Sequence, residues 1–172
     1  MKGQITVEYL ISFVIFVGLI AYVYLSYSAN LPRFTEEVRK EAIRSQAYQL
    51  SEILINNPGK PENWDIANVK RIGLLDERFN KTNLISKAKI EKLNNNFNCN
   101  LPNQYSNLKS KLDIDRNFSL MIFSINPNTG VRTPLYVCNP PTFFSSINIT
   151  LQRIAAYRDA GTINPAEVII QM

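Results

Sequence analysis

Glu8 is the one carboxylate within the apolar run "ITVEYLISFVIFVGLIAYVYL", and few kinds of chemistry explain a charge in such a place. At the centre of a membrane-length helix a carboxylate costs about 2.5–3.5 kcal/mol on insertion scales, so an acid there is expected to serve a function and to have a partner. The alternative is an edge position, where Glu8, close to Lys2, reaches lipid headgroups cheaply. Two further residue types carry chemistry. Cys99 and Cys138 lack CxxC or other metal-ligand spacing. Either they form a structural disulfide, closing a loop of about 40 residues worth roughly 4 kcal/mol in the chain-entropy model, or they are two buried free thiols. Asn80, Asn117 and Asn148 are each followed two positions later by Thr or Ser, the acceptor pattern for N-glycosylation on an external surface.

Other chemistry is harder to build. The chain has no histidine, which removes the commonest general base, the commonest metal ligand and every Ser-His or Cys-His nucleophile pair. No catalytic residue, metal site or cofactor is therefore read from the sequence. Asp65, Asp76, Glu77, Asp113 and Asp115 read more simply as solvated surface and helix termini than as acids gathered in a cleft. Lys and Arg number 19 against 14 Asp and Glu, a formal charge of +5, but the basic residues are scattered among acids. That pattern is solvation, and no nucleic-acid partner is expected.

The elements that must position these residues begin with the apolar run itself. About 21 residues from Ile5 to Leu25 cover roughly 31 Å as a helix, close to the hydrocarbon thickness of a bilayer. Lys2 is the only charge before the run, so the expected topology keeps the N-terminus in the cytoplasm and the following domain outside. Beyond Leu25 the text "PRFTEEVRKEAIRSQAYQLSEILI" stays compatible with a helix. Phe34 and Val38, then Ile43, Ala47, Leu50 and Leu54, recur at three-to-four spacing around a phase slip and predict one apolar face. Pro32 is expected to kink this rod or restart it as a first-turn proline. "NNPGKP" ends it. The rod would span about 50 residues, or roughly 75 Å.

Between Pro58 and Asn100 the sequence predicts a connector with small helices, one with a period around Leu84, Ala88, Ile90 and Leu93. Trp64 and Ile72-Gly73-Leu74 are expected to pin it to the core. A second short helix is expected over Gln104 to Leu112, burying Tyr105, Leu108 and Leu112. From Phe118 the vocabulary turns to β-branched and aromatic runs, "FSLMIFSI", "TPLYVC", "SSINITLQRIAAY" and "AEVIIQM". The first two flank "NPNTGVR" and predict an antiparallel hairpin. Ile147, Ile149, Leu151 and Ile154 suggest one face on a core and one on solvent. A helix laid on a three- or four-stranded antiparallel sheet would satisfy both apolar faces, which makes the fold class α+β. Phe143, Phe144 and Tyr157 are either a sticky surface or, more simply, core.

Taken together, Lys2, Gly3, Gln4, Thr6 and Glu8, in "KGQITVEYL" directly before the apolar helix, resemble the processing site of archaeal class III signal peptides found in type IV pilin-like proteins. "NNPGKPENWDIANVKRIGL" is similar, more softly, to the connector after the long helix in some of those proteins. The resemblance implies that a membrane-embedded prepilin peptidase cuts between Gly3 and Gln4 on the cytoplasmic side, making Glu8 the fifth residue of the mature chain. It also implies partners, namely other pilin-like subunits and the pilus assembly machinery, besides the membrane. In such an assembly Glu8 would face the new α-amino group of a neighbouring Gln4. Opposite charges about 4 Å apart gain roughly 4 kcal/mol at an effective dielectric of about 20, offset in part by desolvation. A lone charge needing one partner also penalises every other stagger between apolar helices.

The implied organisation is a leader at residues 1–3, a hydrophobic transmembrane or filament-core helix at 4–30, an amphipathic extension at 31–57 and an extracytoplasmic head at 58–172. The implied role is that of a major, minor or pseudopilin subunit in a surface filament for adhesion. Three rivals differ in class. A single-pass anchored binding or accessory protein that never polymerises would use the same anchor. A secretory signal peptide could use Ser26 and Ser28 for cleavage, but the run from Tyr9 to Leu25 exceeds the usual apolar core of about 7–15 residues. An enzyme would need the scattered acids to converge.

Overall fold

The computed structural model describes residues 2–79, 81–97, 99, 101–140, 149–159 and 161–172, with side chains from Val7 onward. Helix α1 spans Lys2–Asn56 and is followed by β1 (Leu84–Ser86), α2 (Lys87–Asn96), α3 (Pro102–Leu112), β2 (Ser119–Ile125), β3 (Arg132–Cys138), β4 (Thr150–Asp159) and β5 (Thr162–Gln171). The chain is therefore α+β, with a long apolar N-terminal helix and a small mixed sheet. It divides into two compact units, residues 1–41 and 42–172.

The first unit is helix throughout its described residues. Pro32 lies inside α1 and neither ends nor restarts it, although its missing N–H leaves the Ser28 carbonyl without its usual donor. Nearby polar side chains turn back onto the backbone: Ser28 Oγ donates to the Leu25 carbonyl at 3.0 Å, Asn30 Nδ2 to Ser26 at 2.8 Å and Thr35 Oγ1 to Pro32 at 2.9 Å. Glu36 and Lys40 pair across one turn at 2.7 Å.

The second unit begins with the last turns of α1. Ile43, Ala47, Leu50 and Leu54 are buried there, joined by Ser51 and Ile55. The expected face started earlier, at Phe34 and Val38, and this is corrected: they are 67% and 53% exposed. The five-residue step from Val38 to Ile43 fits neither a three- nor a four-residue spacing, so the two groups do not share a stripe. The buried group shares one core with Leu120, Ile122, Tyr136, Ala155, Val168 and Ile170 from the sheet. Arg153 ties β4 to α1, donating to Glu52 Oε1 at 2.8 Å and Ser51 Oγ at 3.1 Å, with its guanidinium over Tyr48.

The sheet has five strands in the order β1-β4-β5-β2-β3, not three or four, and it is mixed. β1 pairs parallel with β4, while β4-β5, β5-β2 and β2-β3 are antiparallel. Leu84 thus belongs to a strand and not to the helix that follows. The far side of β1 is bridged by the connector, with Ser86 N donating to Leu74 O at 2.7 Å and Asp76 N to Leu84 O at 2.9 Å. The β2-β3 hairpin turns through Asn126 to Gly130, where Gly130 takes φ +68°. Its pairing shifts between Ile122 and Phe123, with Pro134 opposite Phe123.

Strand β4 alternates strictly, with Ala155 and Tyr157 buried and Leu151 partly so. Ile154 falls on the opposite face and is 73% exposed, which corrects its placement on the core side. Ile147 lies outside the described residues.

The connector is held by close backbone contact. Gly59 takes φ +91°, and a Cβ on Gly73 would stand 2.2 Å from the Asn57 carbonyl oxygen, so neither site accepts a side chain. Trp64 is fully buried and donates Nε1–H to the Gly73 carbonyl at 2.9 Å. Leu108 and Leu112 are the buried residues of α3, with Tyr105 packed at the core edge. The Tyr105 hydroxyl receives the Phe118 N–H at 2.9 Å and donates to the Phe118 carbonyl at 3.0 Å, fixing the entry to β2.

Candidate functional site

The residues with the strongest chemical signal lie at the start of α1. Lys2, Gly3, Gln4 and Thr6 are within the helix, but their side chains are outside the described residues. Glu8 is exposed and has no hydrogen bond or ion pair among the described residues. Around and beyond it every side chain from Val7 to Leu25 is exposed, including Phe16 at 60%, Ile20 at 54% and Leu25 at 64%. The helix is long and apolar enough to cross a membrane, with a mean hydropathy of 2.2 in its best window. Such a surface is stable only against lipid or other apolar groups.

Cys99 and Cys138 form a disulfide with Cα atoms 5.0 Å apart. It joins the α2-α3 loop to the end of β3, and both cysteines are buried. The Tyr136 hydroxyl donates to the Phe97 carbonyl at 2.8 Å beside Cys99, and burial pushes its pKa upward.

Among the acceptor asparagines, Asn80 and Asn148 lie outside the described residues. Asn117 is exposed in the loop before β2, its Oδ1 accepting from Lys109 Nζ at 3.2 Å. The hydroxyl of its partner Ser119 is buried and donates to Asn139 Oδ1. Phe143 and Phe144 are outside the described residues, whereas Tyr157 belongs to the core with its hydroxyl 2.9 Å from Ser124 Oγ.

The scattered acids take separate positions. Asp76 is buried and grips Arg78 through both oxygens at 3.0 Å, and that guanidinium holds its carboxyl below the usual range. Glu77 pairs with Lys89 at 2.6 Å, and Asp65 lies 3.6 Å from Lys92. Only Asp113 and Asp115 come together, beside Arg116, on a half-open groove of about 530 Å³ whose other wall includes Gln46, Gln49 and Ile53. Among the described residues no group of His, Cys, Asp or Glu is arranged to hold a metal ion.

Two buried charges escaped sequence reasoning. Lys89 is 5% exposed and spends its three N–H bonds on the Pro58 carbonyl at 2.8 Å, the Leu75 carbonyl at 3.0 Å and Glu77. Glu167, in the middle of β5, is 1% exposed. Its Oε1 accepts from Gln152 and from Arg132 Nη2. Its Oε2 lies 2.8 Å from Arg132 Nε as an ion pair, without the alignment of a hydrogen bond. No local pattern distinguishes either residue from its exposed neighbours of the same type. No protein-family model, curated protein or solved structure matches the chain.

Proposed function

We propose that this chain is a pilin-like subunit of an archaeal type IV pilus-like surface filament, anchored and assembled through its N-terminal helix and serving adhesion or another surface interaction. The observation that supports the reading is the state of the first unit. Its helix is exposed all along Val7 to Leu25 and most of the side chains there are apolar, with Glu8 as the single charge in that stretch. The second unit builds a core from residues of its own.

On this reading a prepilin peptidase hydrolyses the Gly3–Gln4 bond and frees an α-amino group at Gln4. In the filament, Glu8 of one subunit pairs with that amino group on its neighbour. The pairing sets the stagger between helices that would otherwise slide. The head, residues 58–172, lies outside the cytoplasm, where the Cys99–Cys138 disulfide is stable and the sequons at Asn80, Asn117 and Asn148 would meet a glycosylation machinery.

Sequencing the N-terminus of the mature protein, together with electron microscopy of cell-surface filaments, tests the proposal. A chain beginning at Gln4, retained leader in Gly3→Val, and cleaved chain without filaments in Glu8→Ala are the expected results. A chain beginning at Ala29 would indicate secretion. One that keeps Met1 and joins no filament would indicate a plain anchor. Normal filaments from Glu8→Ala would sink the charge pairing.

A further inference from the structure

We infer that tyrosine side chains set the depth of the N-terminal helix in a bilayer, with Tyr9 at one interface and Tyr22, Tyr24 and Tyr27 at the other, and that Glu8 thereby sits at the interface. This rests on the reading that the helix crosses a membrane, and it adds where in the membrane each residue lies. Between Val7 and Leu31 tyrosine occurs only toward the two ends, while the aromatic residues between are Phe13 and Phe16. All four tyrosines are exposed, at 71%, 69%, 70% and 67% in chain order. None of their hydroxyls has a partner among the described residues. A phenol with an unmet hydroxyl and an apolar ring is most stable where water meets hydrocarbon. At about 100° per residue, Tyr24 and Tyr27 share one side of the helix while Tyr22 lies on the opposite side, so the three do not form a single packing stripe.

The polar boundary agrees. Just past the belt, Ser28 and Asn30 return hydrogen bonds to the carbonyls of Leu25 and Ser26, and charged residues begin at Arg33. Along the axis Tyr9 stands about 20 Å from Tyr22 and about 27 Å from Tyr27, a match to a hydrocarbon layer of about 30 Å.

The midpoint of this segment falls near Phe16 and Val17, which puts Glu8 about 13 Å from the centre against a half-thickness of about 15 Å. Helical Cα–Cβ bonds tilt toward the N-terminus, and for Glu8 that direction is outward. Its carboxylate therefore reaches headgroups and water while the helix is in lipid. The full desolvation of that charge is met only when the helix leaves the bilayer for an apolar packing. Glu8 thus selects a partner at assembly without opposing insertion.

Depth-resolved quenching tests this in the full chain reconstituted in phosphatidylcholine vesicles with acyl chains brominated at a shallow or a deep carbon. Trp is introduced singly as Tyr9→Trp, Phe16→Trp or Tyr24→Trp, and the unsubstituted chain supplies the Trp64 background. The shallow bromine is expected to quench positions 9 and 24 more than the deep one does, with the order reversed at position 16. Deep quenching at position 9 or 24 overturns the assignment. No quenching at any position overturns it and removes the membrane span as well. Filaments play no part in the measurement, so failure to polymerise leaves this result standing and sinks only the proposed function.

Discussion

From Ile43 to Ile55 helix α1 buries six residues against the rest of the second unit, while from Val7 to Val38 the same helix buries none. Helix-forming tendency does not explain the contrast, because both stretches are helical. The difference lies in where the apolar residues sit around the axis. In the second unit they form one stripe with polar residues elsewhere, and the stripe meets a sheet. In the first unit they surround the helix up to Leu25, a distribution suited to a uniformly apolar environment. One continuous element can thus be written in two dialects, one for a protein core and one for lipid or a bundle of like helices.

Several substitutions would break or sharpen that contrast, with Trp64 as a reporter buried wholly in the second unit. The largest loss is expected from Cys99→Ala combined with Cys138→Ala. It should lower the stability of the second unit by about 4 kcal/mol in urea unfolding of the detergent-solubilised chain. Next, Leu54→Ala should cost about 3 kcal/mol in the same assay, whereas Leu19→Ala should leave the Trp64 transition in place. Equal losses from the two leucines would abolish the distinction between the stretches.

Arg153→Ala should cost only about 1 kcal/mol, because the Glu52 pair it breaks is partly exposed. The smallest effect is in pH. Arg78 depresses the Asp76 carboxyl, so the stabilisation is complete above the unfolded carboxylate value of about 3.9 and is lost as pH falls from there through the lower folded value. Asp76→Asn should flatten the acid limb of the stability curve while leaving its slope near neutrality unchanged.

Sequence patterns carried the long helix, α3 and the four strands from Ser119 onward, because each has a period or vocabulary that its own residues impose. β1 was not legible. Three residues are too few to show alternation, and their strand character comes from β4 on one side and Leu74 to Asp76 on the other. Lys89 stands in "SKAKIEKL" as one lysine among three. Only the carbonyls of Pro58 and Leu75, distant in sequence, single it out for burial. At the candidate site, Glu8 was visible by contrast with its apolar surroundings. The partner proposed for it, the α-amino group of a neighbouring Gln4, came from the resemblance and not from any period or contrast in the residues, since it would belong to another molecule.

The sheet also carries a constraint on crowding. β3 forms one edge, with Arg132, Thr133 and Pro134 exposed. Pro134 offers no N–H to either side, and the register shift beside it interrupts the even spacing of the remaining donors. A strand from an adjacent molecule would find a broken template instead of a continuous ladder. Copies of the second unit crowded together would therefore resist fusing edge to edge through β3.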